Sequence, residues 1–90
     1  MKRSPVTRLA RAIASIKSTA SAERFLREML TPGELHDVAL RWLLMEQLSG
    51  GATQRSIAGR LGISLCKITR GARLLKDKGS VVARLVEKSK

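Results

Sequence analysis

The segment Thr31-Pro32-Gly33-Glu34 and the run that follows it constrain this chain more than any other feature. Threonine at the N-cap, proline at the first helical position and glutamate at the third form a capping box. The hydroxyl accepts from the free amide of Glu34, and the carboxylate reaches back to the amide of Thr31. The helix so started carries Leu35, Val38, Ala39, Leu40, Trp42, Leu43, Leu44, Met45 and Leu48, and from Leu40 onward it is apolar nearly all round. A helix of that kind has to be covered on more than one side. Ninety residues supply little cover, since a chain this short hides roughly 60–65% of the surface that its unfolded form exposes. A homodimer with this helix at the interface is the expected solution.

The remaining segments also read as helices. None alternates with a strict period of two, and the β-branched residues are dispersed. Leu9, Ile13 and Ile16 form one helical stripe, which predicts a first helix from about Val6 to Thr19. Ser21 is the expected cap of a second, with Phe25, Leu26, Met29 and Leu30 facing inward. Ser49-Gly50-Gly51 ends the apolar helix. Thr53 then caps a short helix with Ile57, Ala58 and Leu61 on one side. Gly62 stops it, and Ser64 caps the next, whose inner stripe is expected to be Leu65, Ile68, Ala72 and Leu75. After a turn at Asp77-Lys78-Gly79-Ser80, Val81, Val82, Leu85 and Val86 belong to a final amphipathic helix. The expectation is an all-α, six-helix homodimer, with 1-90 as a single domain and 1-21 as its basic N-terminal arm and helix.

Charge narrows the function. Eighteen lysines and arginines against seven acids leave a net +11, which favours a polyanion as partner. The excess is uneven. Residues 31–49 carry a net −2, whereas 50–76 hold Arg55, Arg60, Lys67, Arg70, Arg73 and Lys76 with no acid in 27 residues. Solvated helical faces ordinarily mix signs, so this block is informative. The basic arm is less so, because Lys/Arg-rich ends are common in disordered termini. Its apolar residues are scattered rather than gathered into a signal-peptide block. No apolar stretch is long enough to span a bilayer, so no membrane partner is expected. The lone Cys66 excludes an internal disulfide framework and a cysteine-based zinc site, and suits a reducing, cytoplasmic setting. His36 stands without partner ligands, so no metal is expected. With no carboxylate pair and no phosphate-cradling glycine loop, neither catalytic residues nor an enzyme activity are expected.

Within the acid-free block the order is helix, glycine turn, helix. Counting Gln54 as first, Ala58 is fifth, Gly62 ninth and Ile68 fifteenth. Two helices crossing steeply need a small residue where their backbones approach, a residue tolerant of positive φ at the turn, and an apolar lock on the second helix. Ala58, Gly62 and Ile68 meet those needs, the last against Ile57, Leu61 and Ile63. This is a helix-turn-helix pattern over 53-76, whose second helix enters the major groove of double-stranded DNA. Gln54 and Arg55, at a helix start, are placed for phosphate. The exposed face from Ser64 to Lys76, Cys66 included, is expected to meet DNA, with Lys67 and Thr69 the candidates for the groove and Arg73 and Lys76 for backbone contacts that position without specifying sequence.

The residues Met29-Leu30-Thr31-Pro32-x-Glu34, then Arg41, then Thr53-Gln54-Arg55, and above all Ile68-Thr69-Arg70-Gly71 followed by Lys76, resemble the Trp repressor family. The likeness spans roughly Phe25 to Lys76. It implies an intertwined, all-helical dimer that represses transcription on operator DNA, with L-tryptophan as corepressor between the core helix and the recognition helix. By position, Arg41 and Arg70 would flank the indole and attract the carboxylate. Thr31 would bond the carboxylate region, the carbonyls of Glu28 and Leu30 would accept from the ammonium, and Met45 and Gly71 would line the apolar slot. This chain departs from the family pattern at Leu74, where the family has a serine that helps hold the ligand amine. The stretch between Arg41 and Gln54 is one residue shorter, and Ala58 replaces a lysine that reaches phosphate in some members.

Two roles for Arg70 stand open. Helix-turn-helix logic alone points it at DNA, and the resemblance turns it toward the ligand. Arg41 has an alternative partner in Asp37, one turn earlier, an exposed pair worth only about 0.3–0.5 kcal/mol. Trp42 shares a face with Leu35, Val38 and Met45 and reads as core or dimer interface. Two other functions compete with a ligand-gated repressor: a ligand-independent DNA-binding protein of the same superfamily, and a basic helical module for RNA or acidic partners.

Overall fold

The computed structural model describes residues 3–89; Met1 and Lys2 of the expected arm, and Lys90, lie outside the described residues. Six α-helices and no strands make up what is described: α1 (Pro5–Ala14), α2 (Thr19–Met29), α3 (Pro32–Ser49), α4 (Gln54–Leu61), α5 (Leu65–Lys76) and α6 (Val81–Lys88). The all-α expectation holds. The chain divides into two compact units, Met1–His36 and Asp37–Lys90, with the division inside α3.

Hydroxyl side chains start every helix. Ser4, Ser18, Thr53, Ser64 and Ser80 each accept from the backbone amide three residues on. At α3 the capping box closes reciprocally: the Thr31 amide donates to Glu34 Oε1 at 2.9 Å, and the Glu34 amide to Thr31 Oγ1 at 3.1 Å. These bonds satisfy amides that a helix start otherwise leaves open.

In the first unit two expectations are corrected. The first helix stops at Ala14, not near Thr19, and Ser18 rather than Ser21 caps the second. Ser15 bends the chain out of the helix, its Oγ donating to the Ala12 carbonyl at 2.7 Å. Ser18 accepts from the Ser21 amide at 3.1 Å. Serines at both ends of Ser15-Ile16-Lys17-Ser18 compete with the helical ladder, and the apolar stripe through Ile16 does not outweigh them. No residue of α1 or α2 is buried. Leu26 and Met29, expected inside, are exposed, while Phe25 and Leu30 are half-buried. Two exposed ion pairs, Arg24–Glu28 at 3.0 Å and Arg27–Glu23 at 2.9 Å, add a few tenths of a kcal/mol each.

The second unit contains the core. Leu44 of α3, Ile57 of α4, Ile63 of the turn and Ile68 of α5 form one buried cluster, with Leu40, Leu48, Ala52, Ala58 and Leu61 packed around it. Ile57 and Ile68 are 0% exposed, and Ala58 is half-buried beside them, as a close crossing demands. Gly62 ends α4 at φ 65°, ψ 26°, the left-handed conformation that costs any residue with a Cβ about 1–2 kcal/mol. Gly71 meets α3 from the other helix: a Cβ there would lie 3.1 Å from Met45 Sδ and 3.2 Å from Leu48 Cδ1. Val86 anchors α6 at 1% exposure. Leu65 does not join the inner stripe. It is 62% exposed, because it opens α5 roughly 60° around the axis from Ile68 and beyond the reach of α4.

Two measurements test this account. Ile68→Ala should lower stability by about 2–5 kcal/mol in urea denaturation, whereas Leu65→Ala should change it by less than about 0.5 kcal/mol. The carboxyl of Glu34 is held below its ordinary range by the hydrogen bonds from the Thr31 amide and hydroxyl side. Its folded value is therefore the lower one, so the stabilisation is complete above the ordinary glutamate range and is lost as pH falls through the folded value. The Thr31 amide resonance should follow that titration, with a midpoint below that of an unstructured glutamate.

Candidate functional site

The start of α4 and the length of α5 bring most of the candidate residues together. One turn of helix sorts the side chains of α5 into three faces. Ile68, Ala72 and Leu75 look inward onto the core. Cys66, Thr69, Arg73 and Lys76 look outward, and all four are exposed. Lys67, Arg70, Gly71 and Leu74 lie on a third side, toward α3.

The outward face has the properties expected of a polyanion surface. Gln54 and Arg55, the first residues of α4, are exposed. Ser64 caps α5, accepting from the Lys67 amide at 3.4 Å, and keeps its hydroxyl proton for another partner. Among the described residues, no ion pair within 4 Å joins the six cations of 50–76 to a carboxylate, so their field is uncompensated. The thiol of Cys66 is free and exposed. Leu65 also stands on this side, in the first turn of α5. Sequence periodicity places it inside; its position directly after the Ser64 cap is the signal that would have placed it outside.

On the third side lies a slot of about 540 Å³, within the range of small-molecule sites. From α3 it is lined by Val38, Arg41, Trp42, Leu44 and Met45, from α5 by Lys67, Arg70, Gly71 and Leu74, and from α6 by Val82. Four of the seven expected ligand residues, Arg41, Met45, Arg70 and Gly71, therefore share one slot. Arg41 makes no ion pair with Asp37. The other three lie on the first unit: Glu28 in the last turn of α2, its carboxylate paired with Arg24, Leu30 as the C-cap of α2, and Thr31 capping α3. Sequence reasoning gave no slot role to Val38, Trp42, Leu44, Lys67 or Val82. The i, i+3, i+4, i+7 spacing of Lys67, Arg70, Gly71 and Leu74 was the available signal for Lys67. Trp42 is half-buried at the slot wall rather than enclosed in the core.

No group of three or more metal-ligating side chains occurs among the described residues, and none of their helices is long and apolar enough to cross a membrane.

Comparison with known proteins fits this geometry. A family model described as Trp repressor protein matches residues 5–90. A Trp operon repressor homolog of Chlamydia trachomatis serovar L2 is 39% identical over 70 residues, covering 72% of this chain and 74% of that one. Its counterpart in serovar D is 37% identical over the same length and shares. One from Xylella fastidiosa strain M23 is 36% identical over 70 residues, covering 77% and 76%. No solved structure matches the chain significantly. Over almost its whole length the chain belongs to the Trp repressor family, a family of DNA-binding regulators rather than enzymes.

Proposed function

We propose that this protein is a sequence-specific, operator-binding transcriptional repressor that works as a homodimer in the cytoplasm and is gated by L-tryptophan or a similar amphipathic corepressor. The observation that carries the proposal is the division of α5 into an outward cationic face and a separate slot face, so that one helix serves DNA and ligand without conflict. In this reading, residues 53–76 act as a helix-turn-helix. Ser64, Leu65, Cys66 and Thr69 approach base edges, where Leu65 suits a thymine methyl. Gln54, Arg55, Arg73 and Lys76 hold phosphates. Lys67, on the slot side of α5 and exposed, is open to the groove as well. Arg70 serves the ligand, because it shares the slot with Arg41.

Gating follows from where the slot sits. A ligand wedged between α3 and α5 fixes the tilt of α5 against the core helix. In a dimer that sets the separation of the two recognition helices, which must match one turn of DNA, about 34 Å. Ligand and operator then tighten each other by the same factor. Dimerisation is supported by the apolar side chains that each unit leaves exposed, Ile13 and Met29 in the first, Val38, Val81 and Leu85 in the second.

Three outcomes are expected. Sedimentation equilibrium should give the mass of two chains, with Leu85→Glu shifting it toward one. Duplexes selected from a random pool with L-tryptophan present should bind in gel shifts more tightly with tryptophan than without, and affinity should fall steeply as salt rises. Arg70→Ala should abolish the tryptophan response and keep residual DNA binding; loss of binding in both conditions would instead move Arg70 to the groove. Operator affinity identical with and without tryptophan would select the ligand-independent alternative.

A further inference from the structure

Resting on the repressor reading, we infer that α1 is a second duplex-DNA-binding element, in which Arg8 and Arg11 hold phosphates without regard to sequence. The acid-free block at 50–76 has a counterpart nearer the start of the chain. Residues 1–22 include Lys2, Arg3, Arg8, Arg11 and Lys17 and no acid. Residues 5–14 of that stretch are a folded helix, held at its start by Ser4, whose Oγ accepts from the Thr7 amide at 3.1 Å. Arg8 and Arg11 are therefore fixed relative to each other on a rigid element, not strung along a loose tail.

Helical periodicity gives α1 two faces. Val6, Leu9 and Ile13 form an apolar stripe that a single chain leaves exposed and that a second copy covers in the dimer. On the opposite side stand Arg8 and Arg11, with Ser4, Thr7 and Ser15 beside them, all exposed. Once the stripe is covered, this second face looks to solvent. Its charge is not neutralised from within. Among the described residues neither arginine has a carboxylate within 4 Å, and the two stand one turn apart, where like charges repel. The neighbouring α2 is the contrast: its Arg24 and Arg27 pair with Glu28 and Glu23, as solvated helical faces ordinarily do. Guanidinium forks set among hydroxyls suit phosphate oxygens. On a chain whose α4 and α5 already present one cationic face, they suit the backbone of a duplex. An anionic bilayer fits less well, because it needs the apolar stripe that dimerisation covers.

Two double variants of the full chain separate charge from structure: Arg8→Gln with Arg11→Gln removes both charges, and Arg8→Lys with Arg11→Lys keeps them. Each is compared with the wild type in gel shifts on a selected operator duplex and on a scrambled duplex of equal length, across a salt series with L-tryptophan present. Two arginines in each of two chains, at one phosphate apiece, contribute roughly 3–4 to the slope of log affinity against log salt. The glutamine variant should lose that much slope and bind both duplexes on the order of tenfold more weakly near physiological salt. The ratio between the two duplexes should stay as it is, and the lysine variant should keep the wild-type slope. An unchanged slope in the glutamine variant overturns the inference and leaves the repressor reading in place. A loss confined to the operator also overturns it, because α1 would then be reading sequence. So does a glutamine variant that sediments as one chain, since the arginines would then serve the dimer. Vesicles of phosphatidylglycerol that bind the wild type but not the glutamine variant, with the DNA slope unchanged, replace DNA by a lipid surface. A wild type that binds neither duplex overturns the repressor reading and this inference together.

Discussion

The crossing of α4 and α5 over Leu44 is the constraint on which the second unit depends. Ile57 and Ile68 are wholly enclosed there, and they can meet only because Gly62 turns the chain through a left-handed conformation within a single residue. A Cβ at Gly62 would strain that turn, and a longer connection would let the two short helices slide. With the crossing fixed, the orientation of everything else on α5 follows from helical periodicity. The side opposite the core faces solvent, and the side toward α3 forms the slot. Gly71 brings that second side close enough to α3 for Met45 and Leu48 to fill the gap.

Electrostatics repeats this division of labour. The acids of α3 are Glu34, Asp37 and Glu46, and among the described residues no ion pair within 4 Å joins an acid to the cations of 50–76. In α2, glutamates and arginines pair at i, i+4. The acid-free stretch 50–76 thus lies on the unit that also holds the slot. A chain with the same composition but mixed signs along α4 and α5 would keep its fold and lose the directional pull on a polyanion.

Much of this was legible from residues alone, for physical reasons. Caps and turns are local chemistry, so Thr31 with Glu34, Thr53, Ser64 and Gly62 could be read directly and stand where expected. The Ile57–Ile68 lock follows from spacing. Failures arose where two local signals compete or where tertiary reach decides. At Ser15 to Ser18 the hydroxyls won over an apolar stripe. Leu65 satisfies the stripe but has nothing opposite it, and periodicity cannot register a missing neighbour. Leu26 and Met29 belong to a stripe that one chain does not cover. Lys67, a groove candidate because it is basic and sits near the start of α5, also lines the slot beside Arg70, which its charge alone does not reveal. Trp42 shares a face with Leu35, Val38 and Met45, and that pattern does not distinguish a core wall from a cavity wall.

That placement of Trp42 has an optical consequence. The chain has one tryptophan and no tyrosine, and its enclosed core residues are aliphatic. Near-ultraviolet emission therefore originates from a single indole in the lining of a cavity that two guanidinium groups and an ammonium also line. Its colour and quenching report the polarity and hydration of that cavity, and remain nearly blind to the aliphatic interior a few residues away.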